Sequence, residues 1–421
     1  MAERDLDVVV FGASSVTGRR VAAYLADRAP SAGASWAAAG RGAERIRATL
    51  AEEGAEAPET LVADVGDTAS LDSLARRARV VLNLVGPYTV HGRPVIEACV
   101  RGGAHYVDLT GEIPFVRRVI ADMDGPAREA GVKIVQVSGF EALPPDLAVA
   151  LASEWASARG EQLAEADVEI APELSPMPPR PSDFASGGTM QSLAAAAGDE
   201  EAAVIDDPAC LVEDAELARA IRDRSPIALA PRRGHGGAVI APMVPAAFIN
   251  PYVIHRSFSL RAAERSGPAT PFRYREGFAI AGPGPTLPLR FAAAGLIAAP
   301  QLGMRRLAKS SHATRRRFGA GLARVLPSSG FGPAADRLEG WRWRLRLDAR
   351  TDGGARASVE AIGQGHPGYL TTARIMGEAG LLLAEEGATP GRSGCLTPAT
   401  ALGVGEVGRF AEAGLTFSEP R

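Results

Sequence analysis

Three cysteines in 421 residues, Cys99, Cys210 and Cys395, are too few and too scattered for a disulfide framework or a zinc site, and no metal is expected. A reducing, cytoplasmic compartment fits that scarcity. Excess charge is also missing. The net charge of −3 offers no bulk basic field for nucleic acid. No run of about 20 apolar residues is free of charge, so no membrane-spanning helix is expected. The nearest run, TLPLRFAAAGLIAAPQLG at 286–303, contains Arg290 and two prolines. The opening MAERDLDVVV is charged and then strand-like, without the apolar core of a signal peptide.

What is present is length and alternation. A chain of 421 residues exceeds one ordinary core, so two or more domains are expected. Charge is unevenly spread, with 18 Lys and Arg against 5 Asp and Glu from Arg256 to Arg350. Such a region is either a solvated arginine face or a surface for phosphates, an acidic protein or an anionic membrane. The 286–303 segment precedes MRRLAKSSHATRRR. It reads as a buried helix with a basic exit, with peripheral membrane contact as the alternative.

The first 150 residues repeat strand and helix patterns. LDVVVFG (6–12), SWAAAG (35–40), ETLVAD (59–64), RVVLNLVG (79–86), HYVDLTG (105–111) and VKIVQVSG (132–139) read as strands. Helical patterns lie between them, one of them DTASLDSLARRA (67–78) with its Asp and Ser caps. The fold class is therefore α/β, a Rossmann-type doubly wound parallel sheet over residues 1–150. A second, α+β domain built on a β-sheet is expected over 151–389, entered through a Pro-, Ser- and Gly-rich loop at 172–190. YVIHRSFSL (252–260), FRYREGFAI (272–280) and WRWRLRLDA (341–349) read as its strands, and GYLTTARIMGEAGLLLAEE (368–386) as a helix. No internal repeat is visible.

The first strand–helix turn, GASSVTG at 12–18, has the form of a dinucleotide-binding fingerprint with Ser15 at its middle glycine. A pyrophosphate there needs a sharp turn, a close backbone and free amides at the helix N-terminus. Gly12 supplies the turn and Gly18 the close helix–strand packing. Ser14, Ser15, Val16 and Thr17 complete the cradle, the hydroxyls of Ser15 and Thr17 offering donors to phosphate. NAD binders usually place an acid at the end of the second strand. Here that strand runs into Gly40 and Arg41, and a guanidinium there suits a 2′-phosphate. NADPH/NADP+ is the expected cofactor. Asp64, after the third strand, either faces the adenine or closes its own turn. Asn83, Gly86, Pro87 and Tyr88 follow the fourth strand, where ribose and nicotinamide are expected.

These stretches resemble the saccharopine dehydrogenase-like oxidoreductases, in particular the bacterial branch of trans-acting enoyl reductases. The likeness rests on GASSVTGR (12–19), AAGR (38–41), NLVGPY (83–88), YVDLTGE (106–112), SGGT (186–189), GFGPAADRLEGW (330–341), GYLTTARIMGEAGLLL (368–383) and LTPATALG (396–403). It implies a Rossmann domain, a second sheet-based domain, and C-terminal helices over 390–421 that return to the first. It also implies NADPH-dependent reduction of an enoyl group on a polyketide or lipid intermediate, in trans to a synthase. The sequence departs from the family at GFEALPPD (139–146), where GFDS-PSD is the pattern. The acid there becomes Glu141, and the serines become Ala142 and Pro145.

Reduction of an activated double bond needs a hydride, a proton for the neighbouring carbon and donors for the carbonyl oxygen. Tyr88 and Glu112 are the leading catalytic candidates, with His91, Glu141 and Asp146 nearby in the strand order. Each has a packing or capping alternative, and for Asp146 a helix cap is the preferred role. FASGGTMQSL (184–193) reads either as a loop admitting substrate or as a capped helix start. His235, in GHGG, is a lone loop histidine. The expected partner is an apolar small-molecule or carrier-bound substrate, with a polyketide synthase as a candidate protein partner. Two other classes compete: an NADP-binding sensor or scaffold without turnover, and a saccharopine-type amino-acid dehydrogenase. The apolar 286–303 segment speaks against the second. The sequence leaves the oligomeric state open.

Overall fold

Valines 8, 9 and 10 have no exposed surface, as an apolar run must when helices cover both faces of its sheet. They form the middle of β1 (Leu6–Phe11) in a computed structural model that describes residues 4–174, 198–243, 246–264, 269–325 and 337–421. Around β1 the strands β2 (Trp36–Gly40), β3 (Thr60–Val62), β4 (Ala78–Asn83), β5 (His105–Asp108), β6 (Lys133–Val135) and β13 (Gly394–Leu396) build a seven-stranded sheet. Its order is β13-β6-β5-β4-β1-β2-β3, and every pairing is parallel. The connecting helices are α1 (Gly18–Ala32), α2 (Ala43–Glu52), α3 (Thr68–Arg77), α4 (Tyr88–Gly102) and α5 (Ile113–Glu129). Asp67 caps α3 as its sequence predicts, its carboxylate accepting the Ala69 amide at 3.0 Å.

The second sheet has the order β14-β12-β11-β7-β10-β9-β8. Its strands are β7 (Leu163–Leu174), β8 (Arg232–Arg233), β9 (Val239–Ala241), β10 (Arg273–Ile280), β11 (Arg342–Thr351), β12 (Arg356–Gln364) and β14 (Leu415–Phe417). Only the β10–β7 pairing is parallel. The strict alternation of β11 does what it announces. Trp343, Leu345 and Leu347 are buried on one face, while Arg342, Arg344, Arg346 and Arg350 reach Glu173, Glu360, Asp348 and Glu165 on the other.

Helix α6 (Leu143–Ser157) joins the two sheets. Residues 142–150 are all buried, so α6 shows no amphipathic stripe. The ring of Phe140, just before it, meets Trp343 edge-on at 4.7 Å. The further helices are α7 (Ala215–Arg224), α8 (Asn250–Ala262), α9 (Leu287–Ala308), α10 (His312–Val325), α11 (Thr372–Ala384) and α12 (Pro398–Leu402).

Several sequence expectations are corrected here. YVIHRSFSL is not a strand but the body of α8. Its residues 250–257 are all buried, so burial imposed no helical period on them. Strand β7 begins before the expected loop and was not foreseen, because charged residues fill its solvent face. Residues 390–421 supply β13, the short α12 and β14 rather than helices alone. The helix that returns to the first sheet is α11, which packs on α1 and β4. There Tyr24 donates to Glu378 at 2.7 Å, and Arg28 pairs with the same buried carboxylate. The 184–193 stretch lies outside the described residues.

Candidate active site

The turn after β1 is held to the neighbouring strand. The amides of Gly12 and Ala13 both donate to the Ala39 carbonyl, at 2.9 and 3.2 Å. Gly12 has φ +89°, a conformation that disfavours a side chain. Gly18 starts α1 so close to this turn that a Cβ would sit 2.2 Å from the Gly12 oxygen. The Ser15 hydroxyl accepts the Gly18 amide at 3.0 Å, which leaves its own proton to donate. No described residue accepts from the amides of Ser14, Val16 or Thr17. Open amides, a helix N-terminus and a serine donor fit a cofactor pyrophosphate.

Beneath the turn lies Arg20, a residue the sequence did not single out. It is buried and donates to the Val16 carbonyl, and its second terminal nitrogen has no partner among the described residues. Arg41 is exposed at the end of β2 and pairs with no described carboxylate. It is therefore available to a 2′-phosphate. Asp64 takes the turn-closing alternative: its carboxylate accepts the Gly66 amide at 2.8 Å.

The ends of β4 and β5 form one hydrogen-bonded block. Asn83 donates to the Tyr106 hydroxyl at 3.0 Å, and that hydroxyl donates to Asp108 at 2.9 Å. Asp108 also accepts the amides of Thr110 and Val137, and burial still pushes its pKa up to about 6. Val137 has φ +61°, a strained position for a β-branched residue, held by that amide bond at the end of β6. The Tyr88 hydroxyl donates to the Asn83 carbonyl at 3.2 Å and accepts the Leu109 amide at 3.4 Å. Burial and the charge of Asp108 raise its pKa well above the usual value. Glu112 accepts the amides of Tyr88 and Thr89 at 2.9 and 2.7 Å, and the Thr89 hydroxyl as well. Both its oxygens thus cap α4. Gly86 and Pro87 form the lip of this loop, and Val85 lies directly against Gly12.

A second cluster of acids lies where the end of β6 meets α8 and β10 of the second domain. Glu141 follows β6, is partly exposed and lays its carboxylate over Gly139; burial raises its pKa. The Glu141 carbonyl accepts from Asn250 of α8 at 2.6 Å. The same Asn250 nitrogen donates to Glu276 of β10 at 2.7 Å, and Tyr274 donates to that carboxyl oxygen at 2.8 Å. Burial pushes the Glu276 carboxyl up to about 7. Its other oxygen and the Asn250 carbonyl oxygen have no partner among the described residues. Neither Asn250 nor Glu276 was foreseen. The only sequence signal was one acid inside an alternating strand.

Asp146 does not cap its own helix. It accepts from Ser257 and, at 2.8 Å, from the Ala399 amide at the start of α12, and burial pushes its pKa up to about 6. It fastens α6 to α8 and the C-terminal segment. His91 is half-buried on the first turn of α4. The His235 amide donates to Glu169 in the second sheet at 2.9 Å.

Comparison with known proteins agrees with this geometry. Residues 8–135 match the saccharopine dehydrogenase NADP binding domain family. A protein named trans-acting enoyl reductase from Mycobacterium ulcerans (strain Agy99) is 30% identical over 100% of this chain and 99% of its own. One of the same name from Mycobacterium leprae (strain TN) is 30% identical with the same coverage. Apo saccharopine dehydrogenase (L-Glu forming) from Saccharomyces cerevisiae aligns over 98% of this chain and 99% of its own, with 14% identity and a TM-score of 0.49. The chain is an NADP-dependent oxidoreductase, and it belongs to the saccharopine dehydrogenase-like family in its bacterial trans-acting enoyl reductase branch.

Proposed function

We propose that the protein reduces the activated C=C bond of an apolar, carrier-bound enoyl intermediate of the polyketide or lipid type, acting in trans to a synthase in the cytoplasm. The names of the full-length relatives support the enoyl substrate. The observation that carries the reading is the pair of carboxyl groups with raised pKa, Glu141 and Glu276, whose residues Asn250 links where the two domains meet. Neither forms an ion pair among the described residues, though Arg232 lies within electrostatic reach of Glu276.

Bound NADPH supplies the hydride. Glu141 is the partly exposed acid at the strand ends, and a carboxyl kept protonated can give its proton to the carbon beside the one reduced. Glu276 and Tyr274 fix Asn250, which in turn holds the Glu141 backbone. Glu112 and Tyr88 keep the 83–89 loop in place. Buried carboxyls with raised pKa suit an apolar acyl chain. They are poorly suited to the carboxylates of a saccharopine-type substrate, which call for Arg or Lys.

The test is NADPH consumption by the purified protein with enoyl thioesters and, separately, with lysine-derived amino-acid substrates. Turnover on the thioesters alone supports the proposal. Turnover on the amino acids alone refutes it. Tight NADPH binding with turnover on neither identifies a sensor or scaffold instead.

A further inference from the structure

Helix α9 is amphipathic the wrong way round. Its polar residues Arg290 and Gln301 point inward. Arg290 donates to the carbonyls of Gly237 and Pro283, and Gln301 donates to that of Pro242. Ala294 packs with Val239 and Ala241 of β9, and Ala298 is buried as well. The exposed face is apolar: Leu289 is 72% exposed and Leu296 77%, with Ala292, Ala293, Ala299, Pro300 and Leu302 between and after them. From 288 to 303 that face carries no charged or polar side chain, a stripe about 24 Å long. A folded chain rarely leaves so continuous an apolar strip to water.

The charge beside it has one sign. Residues 287–325 contain eight Arg and Lys and no Asp or Glu. Arg305 and Lys309 are neutralised by Asp206. Arg306 on α9 and Arg316 and Arg317 on α10 are exposed and pair with no carboxylate among the described residues. Phe318, 47% exposed, stands beside the last two. This is unlike β11, whose arginines are matched by acids on the neighbouring strands. No helix among the described residues is long and apolar enough to cross a membrane.

We infer that α9 and α10 form a docking surface for an anionic lipid bilayer, with the leucine stripe lying in the interface and the free arginines on the headgroups. The expectation of a buried α9 is thereby corrected: its inner face is buried, and its apolar outer face is not. An apolar strip flanked by unpaired cations fits an interface that is apolar below and anionic above. A second copy of this chain would bring the same unpaired cations and repel.

The experiment is co-flotation of the full-length protein with phosphatidylcholine vesicles, with and without phosphatidylglycerol. Wild type is expected to float with the anionic vesicles and to be released by salt. Leu289→Glu/Leu296→Glu is expected to lower vesicle partition at least about tenfold. Arg316→Ala/Arg317→Ala should weaken binding and flatten its salt dependence. Unchanged NADPH affinity of each variant certifies its fold. Failure of wild type to float, or full binding by the double-glutamate variant, overturns the inference. So does sedimentation showing a dimer that Leu296→Glu dissolves without any vesicle binding. The inference does not depend on the proposed substrate, since flotation needs no turnover.

Discussion

The two clusters of buried acids differ in the donors that hold them. In the cluster at the ends of β4 and β5, Asp108 and Glu112 are each met by two backbone amides, and their role is to hold loops still. In the cluster where the domains meet, Glu276 keeps one oxygen unbonded, and Glu141 lies over a glycine with no described side-chain partner. Fully bonded acids build a scaffold. Acids left short of donors and raised by burial are candidates for proton transfer. Tyr88 and Glu112, the first catalytic candidates in the sequence, are built into the first cluster. The carboxyls of Glu141 and Glu276, raised by burial, are in the second.

Substitutions can break this comparison from either side. The largest effect is expected from Gly18→Val. Its Cβ would meet the Gly12 carbonyl oxygen at 2.2 Å, a backbone atom that cannot step aside. NADPH affinity measured by titration should fall at least about 100-fold, about 2.7 kcal/mol. Next comes Glu141→Gln, which removes the proton but keeps the shape. It should lower kcat by about 10²–10⁴ while leaving the NADPH Kd unchanged. Wild-type kcat should fall as pH rises through a pKa above the ordinary glutamate range, and the variant should lack that limb. Loss of cofactor affinity in Glu141→Gln would place this acid at the nucleotide site instead.

Glu276→Gln sharpens the contrast through stability. A carboxyl raised from 4.5 to about 7 by burial stays protonated in the folded chain while it ionises in the unfolded one. Its contribution is full below about 4.5 and is lost as pH rises to about 7. The thermal midpoint of wild type should therefore decline across that window. The variant should decline less, and an unchanged slope would show that Glu276 is ionised in place. Glu112→Gln should give the smallest effect, through stability alone, because its oxygens act as acceptors for α4. A loss of about 1 kcal/mol in denaturant unfolding, without change in the kcat–pH profile, is expected.

The same contrast explains what could be read from sequence. The parallel sheet was legible because burial on both faces leaves unbroken apolar runs, as at Val8–Val10 and Val80–Leu82. The nucleotide turn was legible because Gly12 and Gly18 are dictated by backbone contact. Arg41 stood out because it takes the place of an acid, and the structure leaves it exposed at the end of β2. The second cluster was not legible. Asn250 and Glu276 lie on a helix and a strand far apart in sequence, and their link to Glu141 depends on how the two domains pack. Helix α8 was misread because burial on all sides erased its period. Arg20 was missed because a second arginine after GR looks like surface. The leucine stripe of α9 was visible, but only the fold shows which of its faces is turned outward.

The central claim is that the turn at 12–18 and Arg41 together bind NADPH rather than NADH. Its most direct test is titration of wild type and Arg41→Ala with both nucleotides. NADPH affinity should fall at least about tenfold in the variant, about 1.4 kcal/mol, with NADH affinity nearly unchanged. Equal loss for both nucleotides, or no loss for either, would contradict the assignment of Arg41 to the 2′-phosphate.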